Sequence, residues 1–181
     1  MIAEIVKEFE AIKTEIEKSF GPLSSDQMNW RPNAEGWSVA QCLEHLILTK
    51  TLFFKDLDDL KAKGRKNSWW EEWSPLTPLF TKMYFRYIRS ETAKVKAPTS
   101  KIVPPSTITA DILNRFMENQ DQLIAKLSRL GDSGIAGVVV SSPFIPLVTY
   151  KLIDGIRLIS EHDWRHIRQA KRVMIAEGFP K

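Results

Sequence analysis

The sequence contains little of what would mark an extracellular or membrane protein. It has a single cysteine, Cys42, in 181 residues, so an intrachain disulfide is impossible. No apolar run approaches the roughly 18 residues that a membrane-spanning helix needs. The first twenty residues carry glutamate throughout and lack the apolar core of a signal peptide. We therefore expect a cytoplasmic protein that does not associate with a membrane.

A strong excess of one charge is also missing. The chain has 26 basic and 22 acidic residues, which gives a net charge of +4. Basic residues cluster at 61–66 and 165–172, and either cluster could contact an anion or a nucleic-acid backbone. Mixed-sign faces are ordinary on soluble domains, and no helix-turn-helix or RNA-binding signature is visible. We do not expect nucleic acid as a partner, although a non-catalytic module that binds nucleic acid or a protein stays open.

Apolar residues recur at three- and four-residue spacing in four long segments, which predicts four helices. The first of them ends at Gly21-Pro22, because this pair is typical of a helix stop. The second is predicted from about 38 to 63, the third from about 107 to 129, and the last from about 147 to 176.

Long connections separate the last three predicted helices, at 64–106 and 130–146. The first connection contains turn residues, a candidate short helix that begins at Thr77, and several prolines. The second contains "VVVSSPFIP", which is either a short extended piece or an ordered loop. We expect residues 1–181 to form one all-α domain, a four-helix bundle with long crossover connections.

The start of the second predicted helix is marked by a capping box, Ser38-x-x-Gln41. Trp37 precedes the cap and is expected to pack on the first turn. Cys42 lies on the apolar stripe of this helix and is interpreted as a core residue. His45 lies on the edge of the same stripe.

The three histidines of the chain are His45, His162 and His166. The last two are four residues apart, so they share one face of the last predicted helix. In a bundle, His45 can meet them from the second helix. Three nitrogen ligands leave a coordination position open, which is typical of catalytic metal sites. The alternative is that the histidines are ordinary packed or exposed side chains.

The stretches "GWSVAQCLEHL" and "HDWRHIRQ" together resemble the DinB-like superfamily of damage-inducible, metal-binding helical proteins. The family pattern is W-[ST]-x-x-[QE]-x-x-x-H-[LI] at the second helix and H-x-x-[RH]-H-x-x-Q on the last. The resemblance spans the whole chain in its helix order and its long crossovers. The matching residues are Trp37, Ser38, Gln41, His45, Leu46, His162, Arg165, His166 and Gln169.

The resemblance implies a four-helix bundle, often a homodimer, with a divalent ion such as zinc or nickel on His45, His162 and His166. Its bacillithiol-transferase-like members use low-molecular-weight thiols. The resemblance therefore implies transfer of such a thiol co-substrate, ionised by the metal, to an electrophilic small molecule. Metal-dependent hydrolysis at the same site is the alternative.

Other residues are candidates for supporting the three ligands. Gln41 and Gln169 each lie one turn from a histidine and could orient its imidazole. Gln41 is expected to serve first as the capping partner of Ser38. Asp163 follows a ligand directly in sequence, and it is expected to be either a supporting charge or a solvated one.

The substrate side of the site is harder to predict. Trp69, Trp70 and Trp73 lie in the long crossover and could line a pocket, or they could cover the end of the bundle or a dimer contact. Arg165 could bind a carboxylate, and a solvated position is the alternative. We assign no catalytic group beyond the metal.

Overall fold

Helices make up most of the computed structural model, which describes residues 1–63, 69, 82–83, 86, 88, 90, 99–145 and 148–181. Of residues 55, 56 and 59–63 it describes the backbone alone. The helices are α1 (Ile2–Phe20), α2 (Ser25–Asn29), α3 (Val39–Lys63), a 3₁₀ helix (Ser100–Ile102), α4 (Ile112–Ile135) and α5 (Leu152–Met174). The strands are β1 (Val139–Ser141) and β2 (Thr149–Lys151).

The predicted four-helix bundle is confirmed. Both α1 and α3 pack on α4 and α5, so the four long helices enclose one core. The core side chains come from all four helices, and the largest fully buried ones include Phe9, Phe20, Phe53, Phe116 and Leu123. Among the described residues, no helix is long and apolar enough to cross a membrane.

The helix α1 follows the predicted spacing closely. Its buried residues are Ile2, Ile5, Phe9, Ile12, Ile16 and Phe20. The helix ends at Phe20, directly before Gly21-Pro22, as predicted.

Two capping boxes begin helices in this part of the chain. The predicted one is present before α3, since Ser38 Oγ accepts from the Gln41 backbone N–H at 3.1 Å and Gln41 Oε1 accepts from the Ser38 N–H at 3.0 Å. The same arrangement of Ser24 and Gln27 begins the short helix α2, which the apolar pattern did not predict.

The third predicted helix begins too early. α4 begins at Ile112 rather than near 107, because the Asn29 side chain binds the backbone of Ile108. Asn29 Oδ1 accepts from the Ile108 N–H at 2.9 Å, and Asn29 Nδ2 donates to the Ile108 carbonyl at 3.0 Å, so the carbonyl that a helix from 107 would use is engaged elsewhere. Close to the predicted end near 129, a non-helical Gly131 with φ of 61° interrupts α4, and a further helical segment follows to Ile135.

The last predicted helix begins too early. Residues 149–151 form β2, which pairs antiparallel with β1 in the register Val139↔Lys151, Val140↔Tyr150 and Ser141↔Thr149. The extended interpretation of "VVVSSPFIP" is thus confirmed for β1. Because β-branched and aromatic residues favour strands, the pairing prevails here over helix formation. Residue 69 of the predicted loop at 64–76, and residues 82–83, 86 and 88 of the predicted short helix from Thr77, are described and have helical backbone. The rest of both segments, with Trp70 and Trp73, lies outside the described residues.

Replacing Gly155 by alanine should destabilise the junction between β2 and α5. A Cβ atom on Gly155 would lie 2.4 Å from Cε2 and 2.9 Å from Cδ2 of Tyr150, which is buried. We expect a loss of about 1–3 kcal/mol in the free energy of unfolding, although alanine has the better helix propensity. Urea unfolding measures it. In a Tyr150→Ala background the same change should cost much less, and an equal cost there would contradict this packing.

Candidate metal centre

The three histidines lie together, although one of them is more than a hundred residues from the others in sequence. The capping box begins α3 so that His45 falls on its second turn, and α5 supplies His162 and His166 from one face. One ring nitrogen from each lies within 4.8 Å of those of the other two. The ring centroids are 5.0 Å apart for His45 and His162, and 4.6 Å apart for both other pairs.

His45 is held in one tautomer by the long crossover. Its Nδ1 lies 2.6 Å from the backbone carbonyl oxygen of Ile102, in the 3₁₀ helix. A carbonyl only accepts, so Nδ1 carries the proton and Nε2 presents its lone pair to the other histidines. Ile102 was not predicted as part of the site, because a backbone carbonyl leaves no signature in a sequence.

Burial keeps the three imidazoles neutral. His45 and His166 are 4% and 8% exposed, and His162 is partly exposed. Desolvation lowers the pKa of all three. The pKa values of His162 and His166 fall well below the ordinary value, because a protonated ring there would also lie near other positive charges, including Arg165. Neutral imidazole is the form that binds a metal ion.

The arrangement fits a divalent metal ion. Nε2 of His45 and Nε2 of His162 are 3.2 Å apart. Two nitrogen ligands of a tetrahedral zinc ion, each about 2.05 Å from it, would be about 3.4 Å apart. Within the described part of the chain, Nδ1 of His162 and Nδ1 of His166 are buried without a hydrogen-bond partner. The three ring nitrogens that lie within 4.8 Å of one another belong to neutral imidazoles, and they are therefore a suitable donor set for an ion.

Trp37 covers one side of the site. Its ring stacks on that of His166, with centroids 5.7 Å apart and planes at 22°, and it lies 4.9 Å from the ring of His45. Sequence reasoning placed Trp37 against the first turn of the helix and missed this contact. A tryptophan eight residues before a candidate ligand was the available signal.

The two glutamines near the ligands make different contacts. Gln41 completes the capping box and also donates through Nε2 to the Pro105 carbonyl at 2.9 Å. Gln169 partly offsets the lowering of the His166 pKa through its side chain. The predicted action of each glutamine on an imidazole stays a prediction.

Asp163 is buried, which excludes the expectation of a solvated charge at this residue. It is 1% exposed, and its Oδ2 lies 3.2 Å from Nζ of Lys50. Burial raises the pKa of Asp163 and lowers that of Lys50, while their mutual attraction opposes both shifts. Lys50 was also missed, although a lysine within the apolar stripe of α3 was a visible signal.

The described residues that were predicted to bind substrate have different surroundings. Arg165 donates through Nη1 to the backbone carbonyls of Ile88, at 3.1 Å, and Ser90, so it ties the crossover to α5. Trp69 is 75% exposed. Neither position tests a role in substrate binding, which stays a prediction.

Comparison with known proteins agrees with this fold. The family model of the DinB superfamily matches residues 8–170. None of the curated proteins matches the sequence. Among solved structures, the chain is similar to YfiT from Bacillus subtilis, described as a probable metal-dependent hydrolase with an unusual four-helix bundle topology. The TM-score is 0.57 at 16% sequence identity, over 99% of this chain and 89% of YfiT.

Acid should destabilise the metal-free protein through the three histidines. Their pKa values in the folded state lie below 6.5, so the unfolded chain binds more protons and the free energy of unfolding decreases as the pH falls below that value. We expect a loss of up to about 1.4 kcal/mol per pH unit for each histidine that stays neutral.

Urea unfolding of chelator-treated protein from about pH 7 to pH 5 measures this dependence. The matched control replaces all three histidines by glutamine, and its stability should vary much less over the same interval. An equal pH dependence in both proteins would contradict the neutral, buried state of the imidazoles.

Proposed function

Because this chain belongs to the DinB superfamily, we propose that it is a metal-dependent enzyme that transfers a low-molecular-weight thiol to an electrophilic small molecule. The observation that carries the proposal is the convergence of three neutral imidazoles at one point of the bundle. His45, His162 and His166 would hold the ion, with zinc and nickel as the first candidates. A bound divalent ion would supply Lewis acidity, which lowers the pKa of a thiol or of water.

The surroundings of the histidines suit a thiol nucleophile better than water. Hydrolysis benefits from a carboxylate base, whereas a thiol, with an ordinary pKa of about 8.5, ionises without one. Of the three carboxylates next to ligands in sequence, Glu44, Glu161 and Asp163, two are engaged with cations elsewhere. Asp163 binds Lys50 at 3.2 Å, and Glu44 binds Arg115 at 2.8 Å. Neither is available as a base in this arrangement.

The nucleophile would have to come from outside the chain. Cys42 is fully buried in the core, and burial raises the pKa of its thiol to about 12. Such a cysteine stays protonated and inaccessible at neutral pH. A thiol co-substrate would reach the histidines where His162 is partly exposed.

Metal-dependent hydrolysis is the second candidate. One observation favours it, since the structurally similar YfiT is described as a probable metal-dependent hydrolase. The same three histidines would serve, with a base supplied by residues that the sequence does not identify.

Two further proposals concern the surroundings of the site. We propose that Gln169 orients the imidazole of His166 and that Trp69, Trp70, Trp73 and Arg165 border the substrate. We also propose a cytoplasmic location and a homodimer, both from the sequence and the family resemblance. Analytical ultracentrifugation of the purified chain tests the dimer.

The purified protein should bind about one divalent ion per chain through the three histidines. His45→Ala and His162→Ala should each reduce the bound metal to near zero after incubation with zinc or nickel, since two ligands remain. Elemental analysis with circular dichroism measures metal content and folding together. Folded protein that binds no metal would contradict the proposal and favour a non-catalytic binding module.

Turnover should require both an added low-molecular-weight thiol and the three histidines. We expect thiol consumption with an electrophile such as an alkyl halide or an epoxide, and none with His166→Ala. The matched control is Cys42→Ala, which should keep its activity because the Cys42 thiol takes no part. Activity on esters or amides without added thiol would instead support hydrolysis.

A further inference from the structure

A buried ion pair that has no part in binding the metal lies beside the histidines. The ammonium group of Lys50 is fully enclosed, with Asp163 Oδ2 at 3.2 Å and Gln120 Oε1 at 2.5 Å. It also lies 3.9 Å from the centroid of the Phe116 ring. Few lysines are buried without such compensation, because an unpaired charge is costly to remove from water.

These contacts connect all four long helices. Lys50 belongs to α3, Gln120 to α4 and Asp163 to α5. Gln120 also donates through Nε2 to the backbone carbonyl of Phe9 in α1, at 3.2 Å. One continuous set of directed polar contacts therefore crosses the bundle.

The ion pair and the histidines join the same two helices. Lys50 follows His45 by five residues, which is about 7.5 Å along α3. Asp163 follows His162 directly on α5. The contact between Nε2 of His45 and Nε2 of His162 and the contact between Lys50 and Asp163 are each 3.2 Å. Rotation or sliding of α5 that separated the ion pair would also displace the imidazoles.

Stability alone does not account for an ion pair at this buried position. The second oxygen of Asp163, Oδ1, is buried without a hydrogen-bond partner in the described part of the chain. Incompletely satisfied buried ion pairs contribute little net stability, and apolar replacements of similar volume are often neutral or stabilising. Apolar contacts tolerate small rotations of a helix, whereas a buried ion pair favours one alignment.

We propose that the Lys50–Asp163 ion pair is a positioning device, which aligns α5 with α3 and so places the three histidines for a divalent ion before the ion binds. This inference rests on the proposed metal site. Asp163 would act through the alignment of the helices, without contact with the ion or with an imidazole.

The test is the double variant Lys50→Met with Asp163→Leu, which replaces the pair by apolar residues. Zinc and cobalt(II) are titrated into the metal-free protein. We expect metal binding to weaken by about 10- to 100-fold, and the visible absorption of bound cobalt(II) to change. The melting temperature of the metal-free protein should fall only to the extent that Gln120 Oε1 loses its partner. Titration well below that temperature separates alignment from a loss of stability.

The matched control is Lys126→Met with Asp58→Leu. This second lysine–aspartate pair joins α3 to α4 near the surface, and Lys126 also lies over an aromatic ring, 5.4 Å from the centroid of Phe54. Its removal should leave metal affinity unchanged. An equal loss of affinity in this control would overturn the inference.

The remaining outcomes separate the inference from the proposed function. The inference alone would be overturned if the original protein binds metal, His45→Ala does not, and the double variant has unchanged metal affinity. Absence of binding by the original protein would overturn both. If circular dichroism shows that the double variant does not fold, Asp163→Asn takes its place, and the same loss of affinity is expected. Unchanged affinity in folded Asp163→Asn would overturn the inference.

Discussion

The contact between α3 and α5 is the constraint on which the rest of this bundle depends, because it buries several polar groups within an otherwise apolar core. Histidines, a lysine and an aspartate from these two helices lose most of their contact with water. Burial is tolerable for the imidazoles because they become neutral, and for the ammonium and carboxylate groups because they are paired. The helices α1 and α4 complete the enclosure, chiefly with aliphatic and aromatic side chains.

The long crossover is attached to the same region at separate points. The Ile102 carbonyl accepts from His45, Gln41 donates to Pro105, and Arg165 donates to the carbonyls of two further residues. Each of these side chains belongs to α3 or α5. The described residues of the connection between α3 and α4 therefore contribute backbone acceptors to the surroundings of the histidines.

Much of the fold follows from the sequence, because apolar spacing and capping chemistry act locally. The apolar pattern of α1, the stop at Gly21-Pro22 and the capping box of Ser38 and Gln41 all predict what the structure contains. The errors arise where a distant partner decides the conformation. Asn29 binds the backbone of Ile108 across 79 residues, and β1 pairs with residues that the apolar pattern assigns to a helix.

The candidate site shows the same division between features that the local sequence predicts and features that distant partners decide. The family resemblance brings His45, His162 and His166 together, and their side chains carry a recognisable chemistry. The contacts of Trp37, Ile102 and Lys50 depend on where α3, α5 and the crossover meet, which no local pattern encodes. The sequence therefore predicts the groups that would bind an ion, while the contacts that hold those groups in place emerge only from the packing.

The distribution of the histidines along the chain has a consequence for how an ion and the protein meet during biosynthesis. The pair on α5 is local and can begin to bind an ion in a single turn of helix, whereas His45 is separated from His162 by 117 residues. Closing that loop has an entropic cost that only the docked bundle offsets. An ion captured early by the pair would gain its third ligand when α5 docks, so its affinity would rise at the last step of folding. Some affinity of the unfolded chain for metal would, in turn, reduce the stabilisation that the ion gives to the native state.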